Sequence, residues 1–243
     1  AGDNPYAKPI NGVIGHVDLT LGEVVCVEDH GVDPIPDAKS NYDAASQKIL
    51  RDEPKEIRIT QPYGVGFSVD RNKISWEGWD VRVSLTPDEG VVLHELSLND
   101  RPILFRAAMS DMVVPYGSAD PMHSWKAVHD GTEYGFGRLS NSLTLGCDCL
   151  GEIHYFNASG ISFDGSVEVI ENAICLHEED YGIQWKHNDG MGAPNEVRRS
   201  RRLVISSIST IGNYDYGLFW YLYLDGTIEA EVKLTGIVGI SAY

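Results

Sequence analysis

The sequence predicts an all-β protein, and three observations carry that prediction. Between residues 66 and 109, short apolar segments alternate with turn residues at a spacing of about 8–15 residues, the rhythm of an antiparallel sandwich or barrel. Residues 218–224, Leu-Phe-Trp-Tyr-Leu-Tyr-Leu, form the longest apolar-aromatic run and end at Asp225-Gly226, a strong hairpin signal. Helix signals are few; the best of them, residues 41–50, is short and weakly amphipathic.

Taken in order, the first sixty residues are rich in turns, with Pro5, Pro9, Pro34, Pro36 and Pro54. Within them, residues 13–19 and 23–27 read as two strands joined by a turn at Gly22. Residues 57–60 alternate and stop at the turn Gln61-Pro62-Tyr63-Gly64. Strands are predicted over 66–69, 73–76, 79–85, 91–98 and 103–109, separated by turn chemistry at 70–72, 87–90 and 99–102. Residues 113–145 are broken by Pro115, Gly117, Pro121, Gly131, Gly135 and Gly137 into loops dense in polar and aromatic groups, where a sheet protein builds its sites. Strands resume over 152–156, 167–170 and 173–176, with Asn157-Ala158-Ser159-Gly160 read as a turn that also satisfies the glycosylation sequon.

Arg198-Arg199-Ser200-Arg201-Arg202 is a basic cluster, read as a solvated or carboxylate-paired flank before a strand over 203–208. In the aromatic run, both alternating sets are apolar, which marks a strand buried on two faces. Tyr214 and Tyr216 share one face and Asn213 and Asp215 the other. Residues 227–235 form the partner strand. Residues 237–243 read as one more apolar edge strand, and an open edge of that kind suggests an internal piece of a longer protein.

At 243 residues and 42% hydrophobic content the chain can bury a sizeable core. A net charge of -17 argues against nucleic acid as a partner. No apolar run approaches the roughly 20 residues of a membrane span, and the compartment is not legible. Of four cysteines, Cys147 and Cys149 are too closely spaced for a zinc knuckle. A disulfide from one of this pair to Cys175 would close a loop of about 27 residues and contribute roughly 3–4 kcal/mol; buried free thiols are the alternative.

Eight histidines are present, at 16, 30, 94, 123, 129, 154, 177 and 187, with no H-x-H or H-x-x-x-H pair among them. Nucleophile-elbow, phosphate-loop and dinucleotide motifs are absent. Two acidic clusters remain, residues 129–134 and 177–180. A carboxylate at Asp130, flanked by Trp125, Val128 and Tyr134, is a candidate base if desolvated, and a surface aspartate before a glycine turn if not.

Asn213-Tyr214-Asp215-Tyr216, followed by residues 221–229 (Tyr-Leu-Tyr-Leu-Asp-Gly-Thr-Ile-Glu), resembles the cofactor motif of the copper-containing primary-amine oxidases. Further stretches match that family in order, at 59–62, 112–117, 141–149 and 174–180, so the resemblance covers essentially the whole chain. It implies the first part of a large antiparallel β-sandwich catalytic domain, a supersandwich. Residues 1–27 would be the linker and first strands entering it, and 28–243 its N-terminal part.

The resemblance implies that Tyr214 is the precursor of topaquinone, formed in place with copper and dioxygen, which takes up a primary amine as a Schiff base. Asp130 would be the general base that removes the α-proton, although its motif reads Asp-Gly-Thr-Glu-Tyr, with the glycine one place earlier than in the family. Tyr116 would hydrogen-bond a quinone oxygen and Asn213 hold the ring, with Val128 and His129 lining the substrate channel. Cys149 and Cys175 would form the disulfide, leaving Cys26 and Cys147 free.

The family's copper ligands, an H-x-H pair some fifty residues past the quinone and a distant third histidine, have no match in this chain. No metal site within it is therefore expected, and the 243 residues alone are expected neither to form the quinone nor to turn over amine. The implied reaction of the intact homodimer converts primary amine, dioxygen and water to aldehyde, ammonia and hydrogen peroxide. The alternatives are a non-catalytic β-sandwich or interaction module with unmodified Tyr214, and a hydrolase built on His129 and Asp130 for which no nucleophile motif is present.

Overall fold

The computed structural model describes residues 4–35, 41–162, 164–192 and 194–239. Among them, two five-stranded antiparallel sheets are each built from strands consecutive in sequence. The first contains β3 (Ser68–Asp70), β4 (Lys73–Trp76), β5 (Trp79–Thr86), β6 (Gly90–Leu98) and β7 (Arg101–Ala107). The second contains β10 (His154–Ile161), β11 (Val167–His187), β12 (Glu196–Ile211), β13 (Tyr214–Tyr223) and β14 (Ile228–Gly236). A separate ribbon pairs β1 (Val13–Asp18) with β2 (Glu23–Asp29), and another pairs β8 (Val113–Pro115) with β9 (Ala127–His129). The boundary expected at residue 27 falls inside β2.

The two large sheets face each other across one core. Ile74, Trp76, Trp79, Val81, Val83, Val91, Leu93 and Leu96 from the first meet Ile174, Leu176, Leu203, Ile205, Leu218 and Leu222 from the second. Buried indoles bring a polar N–H that must find an acceptor. Here those bonds cross the sandwich: Trp79 Nε1 donates to the Tyr223 carbonyl at 2.9 Å and Trp76 Nε1 to Glu178 Oε1 at 2.8 Å. Glu178 is buried, which raises its pKa. Hydrogen bonds from the Gly66 N–H, Gln61 and Trp76, with Arg201 nearby, outweigh that burial and hold it below the usual carboxylate value.

The prediction that β13 is buried on both faces is met. Tyr216, Leu218 and Leu222 enter the central core, while Tyr221 and Tyr223 form a second cluster with Val204 and Phe219. On that outer side the Arg202 guanidinium covers the rings of Tyr221 and Tyr181, at 3.9 and 4.3 Å from their centroids, and donates to Glu179 Oε2 at 2.7 Å. The basic cluster lies within β12 rather than before it. Arg198 pairs with Glu196, Arg199 with Asp180, Arg201 with Glu178 and Arg202 with Glu179, in line with the carboxylate-paired reading.

Glu179 gives this network a pH signature. The hydrogen bond from His177 and, against burial, the contact with Arg202 lower its pKa from 4.5 to about 2. A depressed carboxylate contributes stability that is present above the unfolded pKa and lost as pH falls through the folded one. Stability should therefore drop between about pH 4.5 and 2, and Glu179→Gln should flatten that part of a denaturation-versus-pH curve while leaving the rest of its shape in place.

Several local expectations are corrected. Residues 41–50 form no helix beyond a three-residue 3₁₀ turn, Ala44–Ser46, opened by Asp43, whose carboxylate accepts from the Ser46 N–H and hydroxyl. None of that turn is buried, so no tertiary packing rescues a weak propensity. Asn157-Ala158-Ser159-Gly160 is part of β10 rather than a turn. A bulge between Phe156 and Ala158 absorbs Asn157, whose side chain accepts from the Asn172 N–H at 2.9 Å. The strands expected over 167–170 and 173–176 are one continuous β11. Residues 57–60 and 237–239 join no strand, and residues 240–243 of the predicted last strand lie outside the described residues. No helix is long and apolar enough to cross a membrane.

Candidate active site

Two hairpins bring the candidate residues together. In the first, β8 and β9 pair Val113 with His129, Val114 with Val128 and Pro115 with Ala127, and Tyr116 N–H donates to the Lys126 carbonyl at 3.1 Å. This register sets Tyr116 just past one strand and Asp130 just past the other. In the second, Ile211 of β12 pairs with Tyr214 of β13 across the two-residue loop Gly212-Asn213. Gly212 has φ +62°, the left-handed conformation such a loop requires. The turn presents Asn213 and Tyr214 at the tip of an otherwise buried strand pair.

Between the hairpins lies a cavity of about 160 Å³ whose walls include Tyr116, Val128, Asp130, Tyr134, Asn213 and Tyr214. Five of the six residues predicted for catalysis or channel lining thus meet in one place. His129 is the exception among them. Alternation along β9 turns it away from Val128, and its Nδ1 lies 3.0 Å from Asp111 Oδ2.

The hydroxyls of Tyr116 and Tyr214 share a hydrogen bond at 3.0 Å, and the Gly239 N–H donates to the Tyr214 hydroxyl at 3.2 Å. Asn213 is tied down twice, its side-chain amide donating to the Ile237 carbonyl and its own carbonyl accepting from the Ile237 N–H. Tyr116 is stacked on His123 with ring centroids 5.6 Å apart, and Lys126 Nζ lies 5.3 Å from the Tyr116 centroid and 5.7 Å from that of Trp125. Burial and the hydrogen bond with Tyr214 push the Tyr116 phenol well above its usual pKa, so it remains protonated and available as a donor.

Asp130 is only 4% exposed, unlike the surface aspartate that was its alternative reading. The Tyr216 hydroxyl donates to its Oδ2. Burial, then this hydrogen bond, raise the Tyr216 pKa and keep that proton on the phenol. A buried carboxylate with one oxygen held by a neutral donor and cavity space beside it can receive a proton from a bound molecule.

Sequence reasoning missed two supports. Tyr216 was recognised only as sharing a face with Tyr214; that i, i+2 relation was the available signal, but nothing tied it to Asp130, 86 residues away. Asp111 carried no signal. Its carboxylate accepts from the Met112 and Thr132 N–H groups at 2.8 and 3.2 Å and meets His129, clasping both sides of the π-helical turn Asp130–Tyr134. That packing also explains the glycine at 131: a Cβ there would stand 3.0 Å from Asp111 Cα and 3.1 Å from the Met112 nitrogen.

The disulfide joins Cys149 to Cys175, and Cys26 and Cys147 are exposed free thiols. Among the described residues, the one group of three or more His, Cys, Asp or Glu donors close enough to share a metal is Cys149, Cys175 and His177. No such group contains a cavity residue.

A profile of the copper amine oxidase enzyme domain matches residues 68–243. The chain belongs to the copper amine oxidase family. It is 49% identical over 99% of its length to the histamine oxidase of Arthrobacter globiformis, and 48% identical over 98% to a primary amine oxidase of Arthrobacter sp. strain P1. The copper-containing benzylamine oxidase of Hansenula polymorpha superposes over 96% of the chain with a TM-score of 0.84 at 32% identity, consistent with the β-sandwich seen in this copper amine oxidase chain. The chain spans 36% and 37% of the two Arthrobacter relatives and 38% of the Hansenula structure, about a third of each.

Proposed function

We propose that this chain is the N-terminal part of the catalytic domain of a primary-amine oxidase, which converts a primary amine, dioxygen and water to an aldehyde, ammonia and hydrogen peroxide. The observation that carries the reading is the meeting of Tyr214, Tyr116 and buried Asp130 around one cavity in a copper amine oxidase chain.

In this reading Tyr214 is the precursor of topaquinone, which supplies an electrophilic carbonyl and an electron sink that ordinary side chains lack. The fit is supported by the setting of the Tyr214 hydroxyl, which already has two hydrogen-bond partners, Tyr116 and the Gly239 N–H, while the rest of the ring borders the cavity. Tyr116, held protonated, orients the ring through its oxygen. Asn213, locked to Ile237, sets the backbone from which the ring projects. Asp130 takes the proton from the carbon beside the amine nitrogen, and Tyr216 fixes which carboxylate oxygen is free to do so. Val128 forms the apolar wall against which an amine side chain packs.

Copper does not fit the residues of this cavity, which offer no set of imidazoles. We place its histidine ligands in the intact enzyme outside these 243 residues, together with the homodimer interface that the resemblance implies. The relatives are named for different amines, so the substrate is proposed only as a primary amine.

The intact protein, loaded with copper in air, should form a coloured phenylhydrazine adduct on the tryptic peptide containing residue 214 and release peroxide when given a primary amine. An unmodified Tyr214 peptide together with no amine-dependent peroxide would overturn the reading.

A further inference from the structure

On the face of the second sheet away from the cavity, three buried donors converge without a role in amine oxidation. The Cys149 and Cys175 sulfurs and a His177 ring nitrogen lie within 4.8 Å of one another, and the residues are 5%, 0% and 5% exposed. His177 Nδ1 is 3.4 Å from Cys175 Sγ, and its Nε2 is 3.2 Å from Glu179 Oε1. We propose that, once the disulfide is reduced, these three side chains bind a thiophilic divalent ion of the zinc class.

The orientation of His177 is the first support. The Glu179 carboxylate can only accept, so Nε2 is the ring nitrogen that donates and Nδ1 is the one left facing the sulfur. The carboxylate–histidine arrangement is the usual outer shell of an imidazole metal ligand, and here Arg202 holds the carboxylate in turn at 2.7 Å.

Spacing is the second support. Tetrahedral zinc with ordinary metal–sulfur and metal–nitrogen bonds separates an imidazole nitrogen from a thiolate by roughly 3.5 Å. The observed 3.4 Å needs little adjustment on that edge. The third support is Tyr155, directly opposite Cys175 in the β10–β11 register and packed against the cluster of Leu143, Cys149 and Cys175. Its hydroxyl is buried with no hydrogen-bond partner among the described residues, a need that a thiolate or a metal-bound water could meet.

The chemistry balances with a dithiol or phosphine as reductant. Two electrons and two protons convert the disulfide to two thiols, and the ion then displaces both thiol protons to solvent. Three protein ligands leave a fourth position for water. Cys149 is the entry point, because it directly follows the turn at 146–148 and its neighbours Asp148 and Leu150 are exposed. Oxidation closes the site, so metal occupancy reports the redox state of the pair.

The test compares oxidised and phosphine-reduced protein, both carrying Cys26→Ser and Cys147→Ser to remove the exposed thiols, titrated anaerobically with cobalt and then zinc. Reduced protein should bind one more equivalent of cobalt than oxidised protein, with a thiolate-to-cobalt charge-transfer band that zinc abolishes. Glu179→Gln should weaken binding by about 10–100-fold, and His177→Gln should weaken it at least as much. Equal metal uptake in both redox states, a cobalt spectrum without the thiolate band, or undiminished affinity in His177→Gln each overturns the proposal. So does a reduced protein that loses its β-sheet circular dichroism and does not regain it with zinc.

Discussion

Asp130→Asn in the intact protein is expected to keep the quinone at position 214 while lowering kcat/KM for a primary amine by about 10²–10⁴-fold, the usual contribution of a positioned proton acceptor. The substitution preserves size and leaves a carbonyl oxygen that can still accept from Tyr216, so the local packing around Phe136 and Tyr216 has no reason to change. What is lost is basicity, because an amide does not take a proton at neutral pH. The decisive measurement is anaerobic reduction by amine, followed in a single turnover and repeated with substrate deuterated at the carbon beside nitrogen. Reduction at the wild-type rate would remove Asp130 from the role. A loss confined to KM would make it a binding residue instead.

Tyr214→Phe is expected to abolish the cofactor outright, with no phenylhydrazine adduct and no amine-dependent peroxide. Phenylalanine lacks the ring oxygen from which oxidation begins, and the loss also strands the Tyr116 hydroxyl and the Gly239 N–H, each of which donates to or shares a bond with that oxygen. The structural cost should be small, on the order of 1–2 kcal/mol, since the ring is only half-buried at the start of β13. Thermal melting near that of the wild type, with the adduct absent, is the expected pair of results. A quinone adduct surviving in Tyr214→Phe would move the precursor to another ring, with Tyr116 and Tyr216 the nearest candidates.

Strand positions were legible where one local signal sufficed. Predicted 73–76 matches β4, and Asp225-Gly226 marks the β13–β14 hairpin, because alternation and turn residues act within a few positions. Residues 41–50 and 157–160 misled for the same reason. A short polar-apolar pattern reads as a helix or a turn until burial and strand pairing decide, and β11 supplied the pairing that made Asn157 a bulge. At the site, Tyr214 and Asp130 were singled out through their motifs. The burial of Asp130, its bond from Tyr216, the clasp of Asp111 and the turning away of His129 could not be.

By itself the sequence determined the β class, the pairing of Cys149 with Cys175 through its family motif, and five of the residues that meet in the cavity. Those depend on residue type and short-range order, which a chain carries without folding. The tertiary structure decided which carboxylate loses water, which tyrosine serves it, and that His177 faces a disulfide with Glu179 behind it. The Tyr216–Asp130 contact spans 86 residues and the disulfide 26, both set by sheet register and the packing of separate hairpins. No local pattern encodes a distance of that kind, because it exists only after the core has closed.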